Sequence, residues 1–221
     1  MTEEHTSPPP APAYPLRLEI DYPEGGLSRL TTAFRLVLVI PIAAVTTLLT
    51  GGAAQPTEID SGADGWSAVV YAGGVVFLPA LLMILFRRKY PRWWFDWNLE
   101  LMRFSTRVAV YLFLLRDEYP STDDQQAVHL DIDYPDAARD LNRWLPLIKW
   151  LLAIPHFLLL ALLSVFGLVV TVIAWFAILI TGRYPRGLFG FVVGVTRWSL
   201  RVQAYMLLLV TDRYPPFRLD P

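Results

Sequence analysis

The sequence predicts an all-α integral membrane protein made by tandem duplication. Each copy is expected to be a transmembrane helical hairpin followed by an amphipathic interfacial or re-entrant helix, with a short strand ahead of it. Three observations carry this. Hydrophobic residues form 54% of the 221 residues and charged ones 18%, below the roughly 25% of an average soluble domain. Uncharged stretches reach bilayer length, and the chain repeats itself. A net charge of −1 and a mean hydropathy of +0.40 argue against a disordered chain, a basic nucleic-acid binder and an ordinary cytosolic enzyme. Cysteine is absent, which excludes disulfides, thiolate nucleophiles and cysteine metal sites. His5, His129 and His156 are too few for most histidine metal sites.

Residues 1–13 are acidic and proline-rich, with Glu3, Glu4, Pro8, Pro9, Pro10 and Pro12. They lack the basic start of a signal peptide and read as a disordered tail. Residues 14–120 form the first membrane repeat and 121–221 the second. Leu16, Leu18 and Ile20 alternate with Arg17, Glu19 and Asp21, and Val128 to Asp133 alternates likewise. Period two suggests short strands that could pair. Pairing would gather Glu19, Asp21, Asp131 and Asp133, hard oxygen ligands that could hold a divalent cation. Partnership with Arg29, Arg143 or water is the ordinary alternative, and no metal is expected.

Leu36–Thr57, Trp66–Phe86 and Trp150–Gly182 carry no formal charge. A bilayer core of about 30 Å takes roughly 20 apolar helical residues, so spans are expected at about 35–53 and 66–86. As one helix the third stretch would be about 50 Å long. It is expected to turn at Ser164–Gly167, giving spans at about 144–163 and 167–182. Gly51–Gly65 holds Glu58, Asp60 and Asp64 but no basic residue, whereas Arg87, Arg88, Lys89 and Arg92 follow the second span. The positive-inside rule puts that basic cluster, and with it both termini, in the cytoplasm. The predicted location is the cell membrane, multi-pass.

The chain repeats its own motifs at a spacing of about 100 residues. Leu16-Arg-Leu-Glu-Ile-Asp-Tyr-Pro23 recurs as Val128-His-Leu-Asp-Ile-Asp-Tyr-Pro135, and Arg35 falls opposite Lys149. Lys89-Tyr90-Pro91-Arg92 matches Arg183-Tyr184-Pro185-Arg186. Beyond these, Phe95, Arg103, Arg107 and Tyr111 match Phe189, Arg197, Arg201 and Tyr205, and both units close on Tyr-Pro. Seven of the ten tyrosines precede proline. Proline disfavours helix in the residue before it and suits the start of the next helix, and tyrosine favours the headgroup level. The junctions Tyr90-Pro91-Arg92 and Tyr184-Pro185-Arg186 are therefore expected at the membrane surface.

These residues carry a family resemblance. The paired L-x-[ED]-I-D-Y-P entries, the basic-Tyr-Pro-Arg junctions and the terminal R-W-x-x-R-V-x-A-Y…D-R-Y-P resemble the domain of unknown function 4389 family. Its members are bacterial, largely actinobacterial, membrane proteins carrying this unit in pairs. The likeness covers residues 14–220, closer in the second copy. It implies membrane location and repeat structure and brings no activity or catalytic residues.

The helices after the junctions, 92–115 and 187–210, are the functional candidates. Asp96, Glu100, Arg103 and Arg107 fall on one helical face. The matching face of the second copy is Gly190, Gly194, Arg197 and Arg201. The arginines are expected to snorkel to headgroups, to bind anionic lipid phosphates, or to pair with Asp96 and Glu100 across the repeat, the glycines permitting close approach. A third crossing per copy would invert the second copy and break the positive-inside pattern, so these helices are expected to lie in the interface. His156 lies within a span, but Ile42 replaces it in the first copy. No phosphate loop, zinc signature, nucleophile elbow or dinucleotide fingerprint is present. The sequence thus reads as a non-enzymatic scaffold or lipid-binding accessory subunit, without cofactor. Its expected partners are membrane lipids and a membrane protein or a second copy, and not nucleic acid. A small transporter or channel subunit is the alternative, and a lipid-modifying enzyme comes third.

Overall fold

The computed structural model describes residues 14–49, 77–122, 124 and 126–220. The expected tail over 1–13, the acidic loop Gly51–Gly65 and residues 66–76 of the second span lie outside these. In chain order the elements are β1 (Leu16–Ile20), α1 (Arg29–Leu49), α2 (Phe77–Arg87), α3 (Arg92–Leu112), β2 (Val128–Ile132), α4 (Pro146–Leu152), α5 (Ile154–Thr181) and α6 (Arg186–Met206). The chain is mostly helical, and α1 and α5 are long and apolar enough to cross a membrane.

The two alternating segments pair as an antiparallel ribbon centred on Leu18 opposite Leu130. Their period-two pattern decides its faces. Leu16, Leu18, Val128, Leu130 and Ile132 are buried, whereas Arg17, Glu19, His129 and Asp131 stand in solvent. Both ends extend symmetrically: Asp133 N–H donates to Pro15 O and Asp21 N–H to Ala127 O, each at 3.0 Å. A two-stranded ribbon alone is marginal. Here its apolar face packs β1 on α6 and β2 on α3.

The Tyr-Pro junctions start α3 and α6. Pro91 and Pro185 hold extended backbone as N-caps (φ −63°, ψ 130° and φ −61°, ψ 126°), the conformation that a helix entry requires. The helices before them end in left-handed residues, Arg88 (φ 50°) after α2 and Gly182 (φ 74°) after α5. The Gly182 N–H donates to Ile178 O at 2.7 Å, closing the last turn as a glycine at this place normally does. Past the far ends, Leu114 (φ 63°) and Leu209 (φ 56°) also turn left-handed.

The hairpin expected in the second copy is absent, because α5 is one 28-residue helix running through Ser164–Gly167. Ser164 bonds back to Leu160 O at 2.7 Å, and Thr171 to Gly167 O at 2.8 Å. These hydroxyls satisfy themselves on the preceding turn and open no loop. The break lies earlier, at Ala153 between α4 and α5, where Pro155 has no N–H to return to Leu151.

Helices α5 and α6 are antiparallel neighbours along their length. The Tyr184-Pro185 junction joins their near ends, Gly167 and Val192 line one cavity, and Leu160 packs on Trp198 and Val202. In the same sense α1 runs back along α3, with Arg35 at Tyr111 and Ile42 against Phe104 and Val108. The main core gathers the ribbon's inner face, the junction tyrosines and the inward sides of α2, α3, α5 and α6. The result is layered: ribbon and tails, then α3 and α6, then the apolar helices.

Candidate functional site

Under the ribbon the mid-helix arginines of α3 and α6 reach across to the opposite sequence unit. Arg103 Nε donates to Leu130 O at 2.9 Å, and Arg197 Nε donates to Leu18 O at 3.2 Å. Leu18 and Leu130 are the opposed central residues of the ribbon, so each helix holds the other unit's strand. Arg103 also contacts Glu100 at 2.6 Å and Asp131 at 2.9 Å. Arg197 adds Leu219 O at 3.0 Å.

The second arginine of each pair braces the chain that follows its own Tyr-Pro. Arg107 donates to Ser121 O at 2.6 Å, and Arg201, 2% exposed, donates to Asp220 O at 2.9 Å and Arg218 O at 3.4 Å. Burial lowers the Arg201 guanidinium below the usual arginine value, and Arg218 and Arg197 act in the same direction. Arginine remains charged through such a shift.

These destinations correct the expected pairing of Asp96 and Glu100 with Arg197 and Arg201. Glu100 pairs with Arg103 on its own helix, and Asp96 is exposed without a partner among the described residues. The glycines serve something else. A Cβ on Gly194 would stand 2.8 Å from Leu219 Cβ and 3.1 Å from Leu219 O, whereas one on Gly190 would meet nothing. Gly194 admits the C-terminal tail.

The junction residues also cross between units. The hydroxyl of Tyr134 donates to Tyr90 O, and that of Tyr22 to Tyr184 O. Arg92 lies over the Tyr134 ring and Arg186 over the Tyr22 ring, at 5.4 and 4.9 Å. Edge contacts Phe95–Tyr134 and Tyr22–Phe189 are both 5.1 Å. Pro91 and Pro185 thus fix helix starts on which the other unit's strand exit docks.

The acidic residues of the ribbon gather no metal set among the described residues. Arg17 takes Asp133 at 2.8 Å, Arg103 takes Asp131, and His129 meets Asp21 at 3.4 Å. Arg29 and Arg143, expected here, instead donate to Ile180 O at 3.0 Å and Leu85 O at 2.7 Å, capping helix ends.

A matched pair of buried cations was seen in the sequence only as an alignment. Arg35 is 1% exposed, pairs with Asp117, donates to Arg116 O at 2.7 Å and lies 4.1 Å under the Tyr111 ring. Lys149 is fully buried, pairs with Asp212 at 2.8 Å, donates to Thr211 O at 2.7 Å and lies 4.8 Å from the Tyr205 ring. Ion pair, carbonyl and ring recur at matching positions. The available signal was an aspartate just before each closing Tyr-Pro.

Two more features complete the site. His156 is buried; its Nδ1 accepts from Trp198 Nε1 at 3.1 Å, and its ring stacks on Phe217 at 4.1 Å, closing the tail over α5. A cavity of about 230 Å³ lies between α3, α5 and α6, lined by Met102, Ser105, Gly167, Val192, Thr196 and Gln203 among others. Among its hydroxyls Thr106, Ser164 and Thr196 bond back to their own helices, and Ser199 accepts from Gln203.

No curated protein and no solved structure matches the chain. A family model matches the second sequence unit, from the arginine that caps α2 through α4, α5, α6 and the braced tail. Residues 143–218 match the model of the family described as a domain of unknown function, DUF4389.

Proposed function

We propose that this chain is a non-enzymatic membrane scaffold, a lipid-embedded accessory made by tandem duplication, with its apolar helices in the bilayer and its ribbon and both termini facing the cytoplasm. The observation that carries the membrane part is α5. An 18-residue window of this 28-residue helix has a mean hydropathy of 2.9, and only 17% of that window is buried within the protein. Leaving that face in water would cost about 25 cal/mol per Å² of apolar surface, and lipid removes the cost. Exposed Trp93, Trp144 and Trp150 rim the apolar helices, as interfacial tryptophans do. The exposed cations Arg87, Arg88, Lys89, Arg92, Arg183 and Arg186 cluster at the junctions, where anionic phosphates would meet them.

The duplication reading is supported by the contacts that recur at matching positions. The scaffold reading is supported by the use made of polar groups. The arginine pairs, buried cations and junction tyrosines bind backbone carbonyls, aspartates and rings, and no nucleophile–base pair is among these contacts. The test is extraction and copurification. The protein should stay with membranes under alkaline carbonate, and a stoichiometric membrane partner should copurify in mild detergent. Release by carbonate would refute membrane embedding. Solute or ion flux by the pure protein in proteoliposomes would replace the scaffold with a transporter.

A further inference from the structure

We infer that α5 lies along the membrane within one leaflet, with only its outer face in the hydrocarbon, and does not cross. This rests on the membrane reading above and deepens it. The ribbon displays Arg17, Glu19, His129, Asp131 and Asp133 to solvent while it sits on the midpoints of α3 and α6 through Arg103 and Arg197. A helix of 21 residues set across the bilayer would carry those charges to mid-membrane, at several kcal/mol for each. The helix ends are polar too, with Arg92 and Arg186 at the starts and Asp117 and Asp212 beyond the finishes. Start, middle and finish are all at the water boundary, so α3 and α6 lie flat on it.

Helix α5 follows α6 from the Tyr184 junction to His156 at Trp198. A helix packed lengthwise on a flat one is flat, and interaxial distances of about 8–10 Å place it within one leaflet of a core about 30 Å thick. Both its ends stay beside polar groups on the same side. Arg29 binds Ile180 O at one end, and the Lys149–Asp212 pair stands before the other. Away from α6 it presents Leu158, Leu162, Val169, Ile173, Phe176 and Ile180, between 51% and 73% exposed. That stripe fits acyl chains, and the basic junctions fit the phosphates above them.

The chain has no cysteine, so single-cysteine labelling is clean. Leu158→Cys, Leu162→Cys, Val169→Cys, Ile173→Cys, Phe176→Cys and Ile180→Cys would carry spin labels in liposomes containing anionic lipid, with immersion depth read by oxygen and nickel-chelate collision. Similar depths at all six positions are expected. Ile154→Cys and Thr181→Cys should react with an impermeant maleimide from the same side of sealed inverted vesicles. A depth profile peaking mid-helix, with the two ends labelled from opposite sides, would overturn the inference and leave the membrane reading standing. Six labels with no immersion would overturn both.

Discussion

At the residue scale, Lys149 and Arg35 carry the sharpest consequences. Removing one partner of a buried ion pair leaves an uncompensated charge, typically costing about 3–5 kcal/mol. Lys149→Met should therefore lower the melting temperature by several degrees, since Asp212 keeps some solvent contact. Burial holds the Lys149 amine below its ordinary value, opposed by Asp212. A cation so depressed binds its proton less in the folded state than in the unfolded one. Its contribution to stability thus rises as pH climbs from the folded value to the ordinary lysine value. The stability difference between wild type and Lys149→Met should grow across that alkaline window; a flat difference would show that the amine is not desolvated. Gly194 offers an independent check. Gly194→Val must displace Leu219, so proteolysis should clip the C-terminal tail faster while α6 stays helical by circular dichroism. Arg88 holds a left-handed conformation where α5 has glycine, and Arg88→Gly should stabilise the protein by about 1 kcal/mol, read as a raised melting temperature.

At the element scale, the long uncharged run separates what can be read from sequence from what cannot. Absence of charge measures length alone, and a run too long for one perpendicular span suits two short helices or one long flat helix equally. Turn chemistry should have decided it. Ser164 and Gly167 resemble a turn, but serine can bond to its preceding turn and one glycine costs a helix only about 1 kcal/mol. Phe166→Pro tests the outcome: Phe166 is exposed, so no core packing is lost. In a continuous helix the proline should cost about 3 kcal/mol, seen as lost helicity and thermal stability, whereas in a turn it would be tolerated. The strands and the starts of α3 and α6 were legible because period two and Tyr-Pro act within a few residues. The targets of the arginines were not, because Leu18 O, Leu130 O and Asp220 O are backbone acceptors without a side-chain signature. Arg35 and Lys149 were seen as a match, but their aspartates lie far along the chain.

At the scale of the whole molecule, the two units hold one another more than they hold themselves. Each strand is bound by the other unit's arginine, and each strand-exit tyrosine by the other unit's junction. Residues 1–120 and 121–221 expressed separately should therefore be degraded or aggregate. Expressed together as two chains they should copurify through a tag on either one. Independent folding of one half would show that the crossed contacts are dispensable. A hydrogen-bonded ribbon formed by one strand from each side means that neither half has a finished edge of its own. On the proposed duplication, a single copy would have needed a second copy to complete its ribbon, and gene fusion would turn an encounter between two chains into a tethered event. Once joined, the halves would be free to diverge, and the second carries His156 beneath its tail where the first has Ile42.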